Sequence, residues 1–135
     1  MKIILDTNVL LSALIKNSFT RKLIIDSDWE FYYPEESQFE IRKYKQLVKE
    51  KAEITDQEYK KLIKFIFDFV IILPNYKIMS HLKEAKRIML KIDPDDVIFI
   101  AAALSIPNSV IWSDDKDFDK QNEVKVLKST VIGKL

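Results

Sequence analysis

Acidic side chains lie at the ends of three apolar segments in this chain of 135 residues, and they are the groups best suited to chemistry. Carboxylates that converge repel one another and are driven to take up protons, unless a divalent cation neutralises them. If the three groups meet in space, they therefore make a metal site. The groups are Asp6, Asp95 with Asp96, and Asp114 with Asp115.

The rest of the composition excludes most other kinds of active site. The chain has no Cys, one His (His81) and one Gly (Gly133). Thiol nucleophiles, multi-histidine metal sites and glycine-rich phosphate loops are therefore excluded. A metal would need mainly oxygen ligands, which favours a hard cation. Lys and Arg number 22 against 21 Asp and Glu, so the net charge of +1 offers no global attraction for nucleic acid.

Apolar runs and turn residues predict strands that alternate with helices. Thr55 and Glu58 form a capping box, in which each side chain satisfies a free backbone donor at the start of a helix. Asp93 and Pro94 start another helix, as its cap and its first residue. The predicted strands are 2–5, 30–33, 69–73, 110–113 and 124–127. The predicted helices are 8–16, 21–26, 35–51, one that starts at Thr55, 80–91 and 93–105.

This alternation predicts an α/β fold with a central, mostly parallel sheet of four or five strands flanked by helices, in a single domain over residues 1–135. Ligands of such sheets bind at the carboxyl ends of the strands. Asp6 follows one strand, Asp114 and Asp115 follow another, and Asp95 and Asp96 lie in the first turn of a helix, so these three acidic groups can meet there. No apolar stretch approaches the ~20 residues that span a bilayer, and the chain begins without a signal-peptide segment, so we expect a cytoplasmic protein with no membrane partner.

Each acidic group also has a purely structural interpretation. Asp93 and Asp96 are residue types that commonly cap a helix and stabilise its first turn. The segment 113–117 has the composition of an ordinary solvated turn. Asp6 can cap the helix that follows it. Taken one at a time, these residues leave both interpretations open.

Three blocks, in order, resemble the PIN-domain nucleases, and the resemblance covers essentially the whole chain. In that family, hydrophobic residues precede Asp-Thr-Asn/Ser, an Asp precedes an Ala-rich buried helix, and a strand leads into Thr/Ser-x-Asp-x-Asp-Phe. The matching blocks are 3–10 (IILDTNVL), 96–104 (DVIFIAAAL) and 110–118 (VIWSDDKDF). Carried over residue by residue, the resemblance makes Asp6, Asp96 and Asp115 the acidic metal-site residues. It makes Asp117 a possible auxiliary.

The resemblance also implies a fourth carboxylate. The pattern Ser-x-x-Glu at 37–40 is similar to that of the family and makes Glu40 the fourth carboxylate. The neighbouring Glu35 and Glu36 remain alternatives, and Glu40 can instead be a solvated surface residue. Residues expected to orient ligands through hydrogen bonds are Thr7 or Asn8, and Ser113.

The activity implied by the resemblance is ribonuclease activity that depends on Mg²⁺ or Mn²⁺, with RNA as the substrate. Small PIN domains of this length resemble the VapC-like toxins of toxin–antitoxin pairs, which form homodimers and are inhibited by a small antitoxin protein. A housekeeping RNA-processing nuclease and a catalytically silent binding module remain alternatives. Basic residues at 42–51 and 60–64 either face an RNA backbone or belong to a solvated surface with intrahelical pairs.

Overall fold

A computed structural model describes residues 1–16 and 18–135 of the chain. Five parallel strands form one sheet in the order β3-β2-β1-β4-β5. The strands are β1 Lys2–Leu5, β2 Glu30–Pro34, β3 Val70–Leu73, β4 Ser109–Trp112 and β5 Val126–Leu127. The α-helices of the described residues are α1 Thr7–Ile15, α2 Phe19–Asp26, α3 Gln38–Lys43, α4 Lys45–Ala52, α5 Asp56–Phe67, α6 Asn75–Ile78, α7 Leu82–Met89, α8 Val97–Ser105 and α9 Ser129–Ile132. The predicted α/β class and parallel sheet are confirmed.

The core lies between the sheet and the helices that cover it. Ile3, Ile4 and Leu5 of β1 are completely buried, as expected of a strand with a neighbour on each side and helices on both faces. Helix α8 is apolar on nearly every side because it packs against β1, β2 and β4 as well as against α7. None of the helices among residues 1–16 and 18–135 is long and apolar enough to cross a membrane.

Two predicted helices are divided into shorter pieces. The helix predicted over 35–51 is a 3₁₀ turn at Glu35–Ser37 followed by α3 and α4, with a break at Tyr44. There the Tyr44 N–H is shared between two carbonyls, those of Glu40 and Ile41, which tightens the last turn of α3. The charged surface pattern continues through the break, so the periodicity does not reveal it.

The helix predicted over 80–91 begins earlier and ends earlier than expected. Its observed pieces are α6, a 3₁₀ turn at Met79–His81, and α7. The Asn75 N–H at the start of α6 donates to Glu35 Oε1 at 3.0 Å, a partner forty residues away that local patterns do not reveal.

Other boundaries also shift. The helix predicted from position 93 starts as a 3₁₀ turn, Pro94–Asp96, before α8. The last strand is shorter than predicted because the Gln121 side chain bonds both the N–H and the C=O of Val124, which holds that residue in a turn. The capping box at Thr55 is confirmed, with bonds of 3.0 and 3.1 Å. Helix α9 carries no strong sequence signal and was not predicted.

Candidate metal centre

Strands β1 and β4 are neighbours, and their register sets the centre of the site. Leu5 pairs with Trp112, so the next residue of each strand, Asp6 and Ser113, emerges at the same point of the carboxyl edge. The Asp6 N–H donates to the Trp112 carbonyl at 3.2 Å, which extends the ladder by one bond. The sheet order changes direction here, since β2 lies on one side of β1 and β4 on the other.

Hydrogen bonds hold the Asp6 carboxylate at both oxygens. Its Oδ1 accepts the Thr7 N–H at 2.8 Å, and its Oδ2 accepts the Ser113 hydroxyl at 2.6 Å. Asp6 is therefore the cap of α1 and also a member of the acidic site, and the two interpretations made from the sequence are compatible. Burial raises the pKa of Asp6, and the Ser113 and Thr7 hydrogen bonds oppose that shift.

Ser113 also fixes the loop that carries the next carboxylates. Its Oγ accepts the Asp115 N–H at 3.0 Å, and Asp115 Oδ1 in turn accepts the Asp117 N–H at 2.9 Å. A serine hydroxyl both donates and accepts, so a single side chain joins Asp6 to the Asp115 loop. This contact gives Ser113 a clear part in orienting the acidic residues.

Asp96 is the most unusual carboxylate of the site. It is only 7% exposed, and its Oδ2 accepts a hydrogen bond from no donor among the described residues. Burial, with added repulsion from Asp6, Asp93 and Asp115, raises the pKa of Asp96 to about 8. A buried acceptor without a partner is costly, so this oxygen is suited to bind a ligand such as a cation.

The 3₁₀ turn before α8 and the loop after β4 bring four carboxylates together. Each offers one oxygen, and these four atoms lie within 4.8 Å of one another. Asp6 and Glu40 are outside this set. The four residues are Asp93, Asp96, Asp115 and Asp117.

Glu40 lies near enough to Asp6 for their charges to interact. It is half-buried on α3, where burial raises its pKa, the Thr7 hydroxyl opposes the shift, and the charge of Asp6 adds to it. Glu35 instead accepts the Asn75 N–H at the start of α6, and Glu36 is exposed. Of the three carboxylates considered on this segment, Glu40 is the one that the structure places beside Asp6.

A buried tyrosine supports the Glu40 side of the site. The Thr7 and Tyr33 hydroxyls are 2.8 Å apart, and the Tyr33 hydroxyl donates to the Ser37 carbonyl at 2.9 Å. Tyr33 has one hydroxyl proton, and either hydroxyl can donate in the contact between Thr7 and Tyr33. Burial raises the pKa of Tyr33 above its usual range, so that proton is retained. These bonds connect α1 to the turn that precedes α3.

The neighbours Asp114 and Asp115 have different environments. Asp114 accepts both the N–H and the hydroxyl of Ser129, at 2.8 and 2.6 Å, and so binds the start of α9. Asp115 faces the acidic cluster. Asn8 is exposed and lines a cavity of 260 Å³ between α1 and the loop that follows β4. The other residues that line this cavity are Val9, Ser12, Asp114 and Asp115.

The donor set fits a hard divalent cation. It consists of carboxylate oxygens, which Mg²⁺ and Mn²⁺ prefer, and it lacks the thiolate and imidazole ligands typical of zinc. The unpartnered Oδ2 of Asp96 is the specific observation that such a cation would explain. The oxygens that lie close enough together to hold it are on Asp93, Asp96, Asp115 and Asp117, while Asp6 and Glu40 are outside that group.

Three lysines of the predicted basic surface form ion pairs within the chain. Lys45, Lys49 and Lys60 all form ion pairs with Asp56, at 2.6, 3.6 and 3.3 Å. For these three lysines the solvated-surface interpretation describes what the structure shows. Arg42 and Lys64 instead line an apolar groove of 310 Å³ between α3 and α5.

The sequence patterns did not indicate the contribution that two residues make to the site. Asp93 was interpreted only as a helix cap, although its i, i+3 spacing from Asp96 places both on one side of a helical turn. The hydroxyl contact of Tyr33 with Thr7 has no local signal in the sequence, since the two residues are 26 positions apart.

Residues 4–128 match the family described as PIN domain. The chain belongs to the PIN domain family. A solved structure with the same fold is described as VapBC2 from Rickettsia felis bound to a DNA fragment from their promoter. The superposition has a TM-score of 0.68 at 12% sequence identity and covers 95% of this chain and 98% of that one. No match is found among curated proteins.

PIN domains are typically nucleases, and this PIN domain has an acidic cluster at the carboxyl edge of its sheet. The family match confirms the resemblance inferred from the three sequence blocks, since the matched range contains blocks 96–104 and 110–118 and all but the first residue of block 3–10.

Proposed function

We propose that this PIN domain is a ribonuclease that depends on Mg²⁺ or Mn²⁺ and uses Asp6, Asp96 and Asp115, with Glu40, to hydrolyse RNA phosphodiester bonds. The observation that carries the proposal is the buried Oδ2 of Asp96, which has no hydrogen-bond donor among residues 1–16 and 18–135 and lies among other carboxylates. When bound, a divalent cation lowers the pKa of a water molecule and neutralises charge on the phosphate.

The residues of the chain then have separate tasks. Ser113 and Thr7 hold Asp6 in one orientation, and Ser113 also holds the backbone of Asp115. Glu40 is half-buried and its pKa is raised, so its carboxylate is suited to accept the proton that an attacking water loses. No histidine is needed for these steps.

The experiment is cleavage of a mixed pool of single-stranded and structured RNAs with Mn²⁺, with Mg²⁺ and with EDTA. We expect the wild type to cleave only with metal, and Asp6→Asn to be inactive. Asp114→Asn is the matched control, because Asp114 binds Ser129 and lies next to an acidic residue of the site. Cleavage that persists in EDTA or in Asp6→Asn would contradict the proposal, and metal binding without cleavage of any RNA would favour the silent binding module.

We further propose that the chain is the toxin of a toxin–antitoxin pair. The fold is shared with a chain of a complex named VapBC2. The groove between α3 and α5 offers an apolar floor with exposed Arg42 beside it, a surface that suits a helical segment of a small antitoxin. The lining residues of the groove are Gln38, Ile41, Arg42, Tyr59, Ile63, Lys64 and Phe67.

Induced expression in a bacterial host tests the toxin role. We expect growth arrest with the wild type, no arrest with Asp6→Asn, and recovery when the protein encoded by the adjacent gene is expressed together with it. Normal growth with a folded, cleaving wild type would contradict the toxin role and favour a housekeeping RNA-processing nuclease.

A homodimer is also part of the proposal. Strand β3 is at one edge of the sheet, and near it Phe65, Phe69 and Ile71 are exposed, with the two phenylalanine rings 5.3 Å apart. Exposed apolar side chains grouped at a sheet edge suit contact with a second copy. Light scattering should give the mass of a dimer for the wild type and of a monomer for Ile71→Lys, and a monomeric wild type would contradict the dimer.

A further inference from the structure

The loop that carries Asp115 and Asp117 leaves the sheet after β4 and continues as a 3₁₀ turn, Lys116–Lys120. Ser113 holds the beginning of this loop, because its hydroxyl accepts the Asp115 N–H. Hydrogen bonds in a 3₁₀ turn have poorer geometry than those in an α-helix, so a turn of this length depends on contacts with the rest of the chain. The oxygens of Asp115 and Asp117 stay within reach of one cation only while the turn keeps its conformation.

The side chain of Lys128 contacts this turn at both ends. Its Nζ donates to the Asp115 carbonyl at 3.1 Å, just before the turn, and forms an ion pair with Asp119 Oδ1 at 3.1 Å, near the end of the turn. The Asp119 side chain is 55% exposed, and an ion pair with that much exposure contributes little by itself. The Lys128 side chain is only 29% exposed, so the charge-assisted bond to the Asp115 carbonyl is the stronger restraint.

The central sheet fixes the backbone on both sides of Lys128. Strand β5 ends at Leu127, whose carbonyl accepts the Ser113 N–H at 3.2 Å, and Lys128 is the next residue, immediately before α9. On the other side, Ser129 Oγ accepts the Nε1–H of the fully buried Trp112 at 2.9 Å. Lys128 therefore reaches the turn from a backbone that the end of β4 holds in place.

We infer that Lys128 is a positioning residue of the site, which holds the loop from Asp115 to Asp119 in the conformation that keeps the carboxylates of Asp115 and Asp117 together. The inference rests on the proposed function, because it assumes that the acidic cluster binds a divalent cation. Lys128 does not bind the cation itself, since an ammonium group has no acceptor atom.

Two other roles for Lys128 predict different results when its ammonium is removed. A role through charge alone predicts tighter binding of a divalent cation, because a positive charge near the cluster repels it. A role in contacting the RNA backbone predicts a higher KM for RNA and an unchanged affinity for the cation. Positioning predicts weaker binding of the cation and an unchanged KM for RNA.

The test is the dissociation constant for Mn²⁺, from the electron paramagnetic resonance signal of free Mn²⁺ during titration of the wild type and of Lys128→Met. Methionine keeps the unbranched apolar stem and lacks the ammonium group. We expect Lys128→Met to raise the dissociation constant by about tenfold or more, and to lower RNA cleavage at a fixed Mn²⁺ concentration without changing KM for RNA.

Two further variants serve as controls. Lys128→Arg should recover most of the Mn²⁺ affinity, because a guanidinium can donate to the Asp115 carbonyl and the Asp119 carboxylate together. Lys125→Met removes an exposed lysine from the same segment and should have the wild-type affinity. Circular dichroism shows whether each variant is folded. If Lys128→Met does not fold, the milder Lys128→Gln replaces it, with weaker Mn²⁺ binding expected again.

The outcomes separate this inference from the proposed function. Wild-type Mn²⁺ affinity in folded Lys128→Met would overturn the positioning role and leave the proposed ribonuclease intact. Tighter Mn²⁺ binding would overturn it in favour of a charge effect, and a raised KM with unchanged Mn²⁺ affinity in favour of an RNA contact. No bound Mn²⁺ in the folded wild type would overturn both the positioning role and the metal-dependent ribonuclease.

Discussion

Asp56 and Asp96 are the same residue type in opposite environments. Asp56, at the start of α5, is surrounded by three lysines, and hydrogen bonds from Lys45 and Lys60 lower its pKa to about 2. Asp96 is buried among carboxylates, and its pKa is raised to about 8. The first region obtains its counter-charge from the chain itself, whereas in the second the one ion pair among the described residues is that of Asp117 with Lys120. A cluster of like charges that destabilises the folded chain when no ligand is bound is typical of a functional site.

The largest expected difference between the two regions is in catalysis. Asp96→Asn should lower metal-dependent RNA cleavage by at least about a hundredfold, because it removes a charged ligand and several kcal/mol of transition-state stabilisation with it. Asp56→Asn should retain wild-type cleavage. Cleavage rates measured under single-turnover conditions test this difference. Equal losses of cleavage rate in the two variants would show that removal of any carboxylate charge, or a folding defect, causes the loss.

The next effect concerns metal and stability. Millimolar Mn²⁺ should raise the thermal midpoint of the wild type by roughly 3–6 °C, since an ion that binds only the folded chain shifts the unfolding equilibrium. Asp56→Asn should show the same shift, and Asp96→Asn a much smaller one. Scanning calorimetry with Mn²⁺ and with EDTA measures it. An unchanged midpoint for the wild type would mean that the cluster does not bind the ion.

Without metal, the pH dependence should be governed by Asp96. The pKa of an unfolded Asp is about 4, so between about pH 4 and about pH 8 the folded chain holds a proton that the unfolded chain releases. The stability of the metal-free protein therefore falls as the pH rises through this range. In EDTA at pH 8, Asp96→Asn should be more stable than the wild type by roughly 3 °C or more, with little difference at pH 5. Urea midpoints across the pH range test the sign, and a wild type that gains stability toward pH 8 would contradict it.

The smallest effect is expected at Asp56. Its three ion pairs are exposed to solvent, so Asp56→Asn should lower the thermal midpoint by less than about 2 °C, and added salt should remove the difference. Melting curves in low and high NaCl provide the comparison. A large loss that persists in high salt would show that Asp56 contributes through more than these ion pairs.

Much of the site was predictable from sequence, for identifiable reasons. Asp6 follows the apolar run 3–5, and Asp115 comes shortly after the apolar run 110–112, so their positions depend on short runs whose side-chain pattern is clear. The choice of Asp115 over Asp114 came from the resemblance, since nothing local distinguishes two adjacent acids at the end of a strand. The break at Tyr44 was missed because α3 and α4 present one continuous charged surface pattern.

The sequence by itself determined the local structure, with a capping box at Thr55 and buried strands before Asp6 and Asp114, and it restricted metal ligands mainly to oxygen. Only the tertiary structure decided which acids meet. The Asp6 and Ser113 side chains that join the site are 107 residues apart, and they meet because β1 pairs with β4 in one particular register. Capping and periodicity depend on residues within a turn or two of each other, whereas strand order depends on how the whole chain buries its apolar surface. For that reason the role of Asp93 in the cluster, and the contact of Asp114 with α9, became visible only in the fold.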